Sequence, residues 1–146
     1  MTTRTRRKDD ELIGRLKQVP LFSSCTAKEL KAIAAASRTV EFETGETICH
    51  EGKAGVGLHV ILEGETKVSI RGRTRRRLGP GAFFGEIALL DGGPRTATVT
   101  AETPVKALVL PAWSFRSVME DIPSLPMRML EETARRLRTS GASITN

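Results

Sequence analysis

Two side chains of opposite charge frame the segment Phe84-Gly85-Glu86-Ile87-Ala88-Leu89-Leu90-Asp91-Gly92-Gly93-Pro94-Arg95-Thr96-Ala97-Thr98-Val99. Glu86 opens a stretch that can make one helical turn. Arg95 follows nine residues later, at the head of an alternating run. Arginine presents a planar fork of donors that suits phosphate oxygens. A carboxylate accepts from a sugar hydroxyl but repels a phosphate, so Glu86 belongs at the sugar end of a ligand and Arg95 at its phosphate end. Gly85 carries no side chain and lets backbone approach a ligand closely. The free N–H groups of a turn over residues 86–90 favour an anion. Thr96 adds a hydroxyl, and Ala97 is small enough to leave its N–H accessible. The alternative is an internal Glu86–Arg95 ion pair on a surface loop. Such a pair contributes only about 0–1 kcal/mol and would hardly require the surrounding glycines and small residues.

Elements on both sides must hold this pair in place. Leu12, Ile13, Leu16 and Val19 recur at helical spacing over Asp9–Val19, and Pro20 stops that run. Thr26-Ala27-Lys28-Glu29 has the form of a capping box and opens a second helix, with Leu30, Ile33, Ala34 and Ala36 on its apolar face. From Arg38 the pattern changes to short apolar stretches separated by glycines. The expected strands are 39–42, 47–49, 58–62, 66–70, 75–78, 96–101 and 105–110, with a tight hairpin at Arg71-Gly72-Arg73-Thr74. Many short strands with regular turns make a sandwich, jelly roll or barrel. After Leu110 the period is helical again. Phe115, Val118 and Met119 share a face, Pro123 and Pro126 mark a break and a new start, and Leu125, Met129, Leu130, Thr133, Ala134 and Leu137 give the last helix its apolar side. Glu131 with Arg135 and Glu132 with Arg136 are spaced for ion pairs on that helix. The expected fold class is therefore α+β, a β-roll (a jelly-roll-like barrel) flanked by N-terminal and C-terminal helices. The expected layout is a basic tail at 1–10, one domain at 11–140 and a tail at 141–146.

The chain has 146 residues and a net charge of +6, a size that suits a single domain with a real core. No apolar run approaches the ~20 residues needed to span a membrane, and no apolar stretch follows the charged N-terminus as in a secretion signal. The cytoplasm is thus the expected compartment, and Cys25 and Cys49 are expected to be reduced thiols. Basic clusters at 4–8, 71–77 and 128–138 form solvated faces or attract polyanions. A metal enzyme on a β-roll would need several converging histidines, whereas this chain has only His50 and His59, and adjacent Cys49 and His50 in a strand point to opposite faces. No catalysis and no metal are expected.

The run F-G-E-I-A-L, a short variable stretch and P-R-T-A-T-V, with Val19-Pro20-Leu21-Phe22, Gly45-Glu46-Thr47-Ile48, Glu51-Gly52 and Ile61-Leu62-Glu63-Gly64 around it, resembles the cyclic nucleotide-binding domain family. That family includes the sensor domains of cyclic-AMP receptor proteins and of protein kinase A regulatory subunits, and the resemblance covers roughly residues 12–138. It implies that Glu86 binds the ribose 2′-hydroxyl and Arg95 the cyclic phosphate. Gly85, Ile87 and backbone N–H groups near Ala88, Thr96 and Ala97 would complete the cradle. Val68 and Leu78 would face the base, with Arg76 at the edge of that wall. The last helix would cap the base, with Arg136 reaching back toward Glu86. Thr139 and Ser140 sit one residue early relative to the family's base-contacting hydroxyls.

The ligand implied is cAMP. Thr96 is also compatible with cGMP, since a hydroxyl after the arginine can reach a guanine. The resemblance further implies a sensor in which ligand draws Arg95 and the turn at Glu86 inward, Ile87, Leu89 and Leu90 repack, and the helices from Pro111 onward swing over the base. With few residues after Arg138, a helix-turn-helix is not expected, nor is sequence-specific DNA binding. A stand-alone sensor that signals to a protein partner or to a second copy is expected. The rival reading is a degenerate domain that lost its ligand and serves as an interaction module.

Overall fold

A computed structural model describes residues 3–139. Helices α1 (Thr3–Lys17) and α2 (Ala27–Ala36) precede eight strands, and α4 (Ala112–Asp121) and α5 (Ser124–Thr139) follow them. The strands are β1 (Arg38–Phe42), β2 (Thr47–Cys49), β3 (Gly57–Glu63), β4 (Thr66–Ile70), β5 (Arg73–Leu78), β6 (Phe83–Phe84), β7 (Thr98–Ala101) and β8 (Val105–Pro111). The one-turn helix α3 (Glu86–Asp91) lies between β6 and β7. Two four-stranded antiparallel sheets form the roll, one ordered β1-β8-β3-β6 and the other β2-β7-β4-β5. The α+β class and the helix-flanked β-roll are as expected.

Burial explains why β3 and β8 read as continuous apolar runs. Leu58 and Val60 of β3, with Leu108 and Leu110 of β8, pack outward against the helices, around Leu16, Leu30, Phe115, Leu125 and Met129. Ile61 instead turns inward, where it meets Cys49, Phe84 and Val99 between the sheets. Both faces of these strands are covered, so neither face needs polar residues. α2 starts as a capping box: the Glu29 N–H donates to Thr26 Oγ1 at 3.1 Å, and the Thr26 N–H donates to Glu29 Oε1 at 2.8 Å.

Several boundaries differ from expectation. α1 starts at Thr3 rather than Asp9, because the charged residues before Leu12 are good helix formers although they carry no apolar stripe. β6 has only two residues, too few for a periodicity signal, and it pairs with the middle of β3. β7 starts at Thr98, not Thr96. The backbone of Arg95 is tied instead to the loop after β2, accepting from the Gly52 N–H and donating to Lys53 O, both at 2.8 Å. The hairpin turn is the two-residue loop Arg71-Gly72, with φ of 51° and 79° as a type I′ turn requires. On α5, Leu125 and Met129 are buried, but Leu130 is 56% exposed and Leu137 48% exposed, so the expected apolar side is split between the core and the solvent. The pairs Glu131–Arg135 and Glu132–Arg136 do not form as expected. Arg135 bonds Glu132 at 3.0 Å, while Arg136 turns inward to Glu86. Ser140 and the expected tail at 141–146 lie outside the described residues.

Candidate functional site

A cavity of about 480 Å³ opens between the β2-β7-β4-β5 sheet, α3 and α5, within the usual range for small-molecule sites. Glu86, Arg95, Val68, Leu78, Arg76 and Arg136 all line it, as do Gly85, Ile87, Ala88, Thr96, Ala97 and Thr139. The topology thus gathers the residues singled out in the sequence around one space. Val68 and Leu78 are half-buried and pack on the inter-sheet cluster, which gives the cavity an apolar wall. A shallower groove of about 510 Å³ adjoins it across Arg95 and Thr96. Glu51 and Asp91 line that groove together with Arg71, Arg75 and Arg95.

Arg95 is only 4% exposed. Its Nη2 donates to the Gly57 carbonyl at 2.9 Å, while Nη1 is buried and has no hydrogen-bond partner. Two glycines, Gly85 and Gly55, make the slot that holds it, and a third, Gly57, lets β3 lie close against β8. A Cβ at Gly85 would lie 2.0 Å from Nη1, and one at Gly55 would lie 3.0 Å from the guanidinium carbon. A Cβ at Gly57 would strike the Leu110 carbonyl at 2.4 Å. Gly85 also has φ of 96°, the left-handed conformation that lets the chain turn from β6 straight into α3. Gly55 and Gly57 were not singled out in the sequence, since nothing local marks them. Their roles appear only when the fold sets Gly55 against Arg95 and Gly57 against Leu110 of β8.

Glu86 is also 4% exposed, and it does not pair with Arg95. Its Oε1 lies 3.5 Å from Arg136 Nη1, while Oε2 is buried and unpartnered. Burial raises the Glu86 carboxyl above the ordinary carboxylate range, and the Arg136 charge, then those of Arg95 and Arg76, pull it back. The internal Glu86–Arg95 pair considered from the sequence is therefore replaced by two separate charges on one cavity. Arg136 is held as well as holding: its Nη2 donates to the Phe83 carbonyl at 2.5 Å, and its guanidinium lies 4.5 Å from the centre of the Phe83 ring. Arg76 donates to the Arg136 carbonyl at 3.2 Å. This joins β5 to the end of α5.

A β-bulge explains a further lining residue. Val68 pairs with Arg76 and Ser69 with Thr74, which leaves Arg75 without a cross-strand partner. Arg75 and Arg76 both line the cavity as a result, although alternation would send them to opposite faces. Thr133 of α5 lines it too. It was read from the sequence only as part of an apolar stripe. Thr139, one residue early for a base-contacting hydroxyl, lines the cavity but donates its hydroxyl to the Arg136 carbonyl at 2.9 Å within its own helix.

Behind Arg95 lies His59, 2% exposed and stacked on Phe84 at 4.8 Å between ring centres. Burial, then the nearby Arg95 charge, lower its pKa to about 4, so it is neutral at neutral pH. Cys49 also borders the cavity, and burial pushes its thiol up. Both cysteines are free. Among the described residues, no group of three or more His, Cys, Asp or Glu could hold a metal ion, and no helix is long and apolar enough to cross a membrane.

Residues 39–121 match the cyclic nucleotide-binding domain. A CRP-like cAMP-activated global transcriptional regulator of Mycobacterium tuberculosis is 30% identical over 142 residues, covering 94% of this chain and 62% of the regulator. A cyclic nucleotide-gated potassium channel of Mesorhizobium japonicum is 37% identical over 125 residues, covering 86% of this chain and 34% of the channel. The chain therefore spans less than two thirds of the length of either relative. Among solved structures, the catabolite activator protein of Thermus thermophilus superposes with a TM-score of 0.76 at 27% identity, over 86% of this chain and 62% of that one. A protein kinase A regulatory-subunit domain, solved with Sp-2Cl-cAMPS, has the same fold, with a TM-score of 0.80 at 24% identity over 93% of both chains. With a family match spanning most of the roll and a glutamate and an arginine gathered on one cavity, this chain belongs to the cyclic nucleotide-binding domain family.

Proposed function

We propose that this chain is a sensor that binds a cyclic nucleotide, cAMP by preference, and passes the signal to another protein through its C-terminal helices. The observation that carries this reading is the state of Arg95. A guanidinium buried beside a cavity with one arm unpartnered is costly unless an anion completes it. The phosphate of a cyclic nucleotide is such an anion, and Thr96 with the backbone near Ala88 and Ala97 would share it. Glu86 takes the ribose hydroxyl, Val68 and Leu78 face the base, and α5 covers the ligand. The role is binding rather than catalysis, in keeping with relatives described as a transcriptional regulator and a gated channel. The regulator's description as cAMP-activated supports cAMP. Exposed Thr96 on the cavity supports the second reading, cGMP.

The response is a shift between conformations that differ at α3 and α5. Ligand contact at Glu86 and Arg95 moves α3, whose Ile87, Leu89 and Leu90 repack, and α4 and α5 follow. The exposed Met127, Leu130 and Leu137 of α5 offer the surface that a partner, or a second copy, reads. Titration calorimetry with cAMP, cGMP and AMP tests the binding step. One-site binding of cAMP, tighter than cGMP and much tighter than AMP, is expected. Equal affinity for AMP and cAMP would overturn the reading.

A further inference from the structure

Thr133 lies on α5 one turn before Arg136. Its Oγ1 is buried without a hydrogen-bond partner, and the residue lines the cavity. A threonine inside a helix commonly gives its hydroxyl to a carbonyl one turn back. Thr139 does this, bonding Arg136 O at 2.9 Å and Arg135 O at 3.3 Å, but Thr133 does not. Residues three apart share a helix face, so Thr133 lies on the side of α5 from which Arg136 reaches Glu86. There the second carboxylate oxygen, Oε2, is also buried and unpartnered. A buried donor and a buried acceptor thus sit unspent on residues of the same cavity, and neither bonds the other. One hydroxyl group satisfies both at once, donating its proton to the carboxylate and accepting from the threonine.

We propose that Thr133 is a second protein partner of the ribose 2′-hydroxyl, so that α5 grips the sugar together with Glu86. This rests on the cyclic-nucleotide reading of the cavity and adds a residue from the covering helix to it. Ligand then holds α5 directly through the sugar, in addition to any contact with the base. A hydroxyl on the sugar also makes the contact indifferent to whether the base is adenine or guanine.

The test is calorimetry of the wild type and of Thr133→Val, which keeps the shape and removes the hydroxyl, with cAMP, cGMP and 2′-deoxy-cAMP. Thr133→Val is expected to weaken cAMP and cGMP alike by about 5–10-fold and to leave 2′-deoxy-cAMP unchanged, while Thr133→Ser restores wild-type affinity. Thr133→Ala serves as a second hydroxyl-free variant with the same expected pattern. An equal loss for 2′-deoxy-cAMP, an altered cAMP-to-cGMP ratio, or no loss at all overturns the proposal while leaving nucleotide binding intact. A wild type that binds none of the three overturns the cavity reading itself, and this proposal with it.

Discussion

At the scale of single residues, the site depends on what is missing as much as on what is charged. Arg95 fits because Gly85 has no Cβ, and Gly85 adopts φ of 96°. Gly85→Ala adds about 1–2 kcal/mol of backbone strain and drives a methyl into Nη1. Cyclic-nucleotide affinity is expected to fall at least about 10-fold as the guanidinium is displaced, while urea unfolding shows a loss of about 1–3 kcal/mol. Unchanged affinity would show that the arginine slot is not needed.

His59 makes a pH prediction in the protein without ligand. Unfolded, it takes a proton near pH 6.5, whereas folded it stays neutral down to about 4. Between those values the unfolded chain binds the extra proton, so stability is complete above pH 6.5 and falls as pH drops toward 4. The contribution is at most about 3 kcal/mol. Glu86 has the opposite slope: its raised pKa means that the folded chain holds the proton longer, and stability falls as pH rises through its folded value. His59→Phe, flanked by Phe42 and Phe84, removes the first contribution and leaves the second. Urea unfolding at about pH 4.5 and pH 7 should show a smaller acid loss in the variant than in the wild type. An equal loss would place the acid sensitivity elsewhere.

At the scale of elements, α5 is anchored unevenly. Its first half buries Leu125 and Met129 in the main core. Its second half is held by polar contacts: Arg136 to Glu86 and Phe83, and Arg76 to the Arg136 carbonyl. Regions with little apolar burial open at lower free energy than the core. Hydrogen exchange should therefore find amides at 133–139 at least about 10-fold less protected than those at 125–130, with protection rising when cAMP is added. Arg136→Ala should remove protection from the second half and leave the first half unchanged. Uniform protection along α5, unaffected by nucleotide, would mean that this helix does not respond to the ligand.

At the scale of the whole molecule, the roll was legible in the sequence because its strands are short, apolar and bounded by glycines, and the helices because their apolar residues recur every three to four positions. What stayed illegible depends on contacts between distant segments. Gly55 looks like any loop glycine until the fold sets it against Arg95, and Arg75 reaches the cavity only through a bulge in β5. Thr133 looked like part of an apolar stripe, yet its hydroxyl is buried and unspent. Glu86 and Arg95 were readable as two charges meant for one space, and the resemblance already pointed Arg136 toward Glu86, which it approaches at 3.5 Å. Spacing suggested Glu132 for Arg136, whereas burial against Phe83 turns that side chain inward.

The central claim is that Arg95 waits for the phosphate of a cyclic nucleotide. It is tested most directly by titrating cAMP into the wild type and into Arg95→Gln, with thermal unfolding to confirm that the variant is folded. The account predicts one-site binding by the wild type and at least about a 100-fold loss in Arg95→Gln, as expected when a buried charge-assisted contact to an anion is removed. Equal binding by the two proteins, or no heat from the wild type with either cAMP or cGMP, would contradict it.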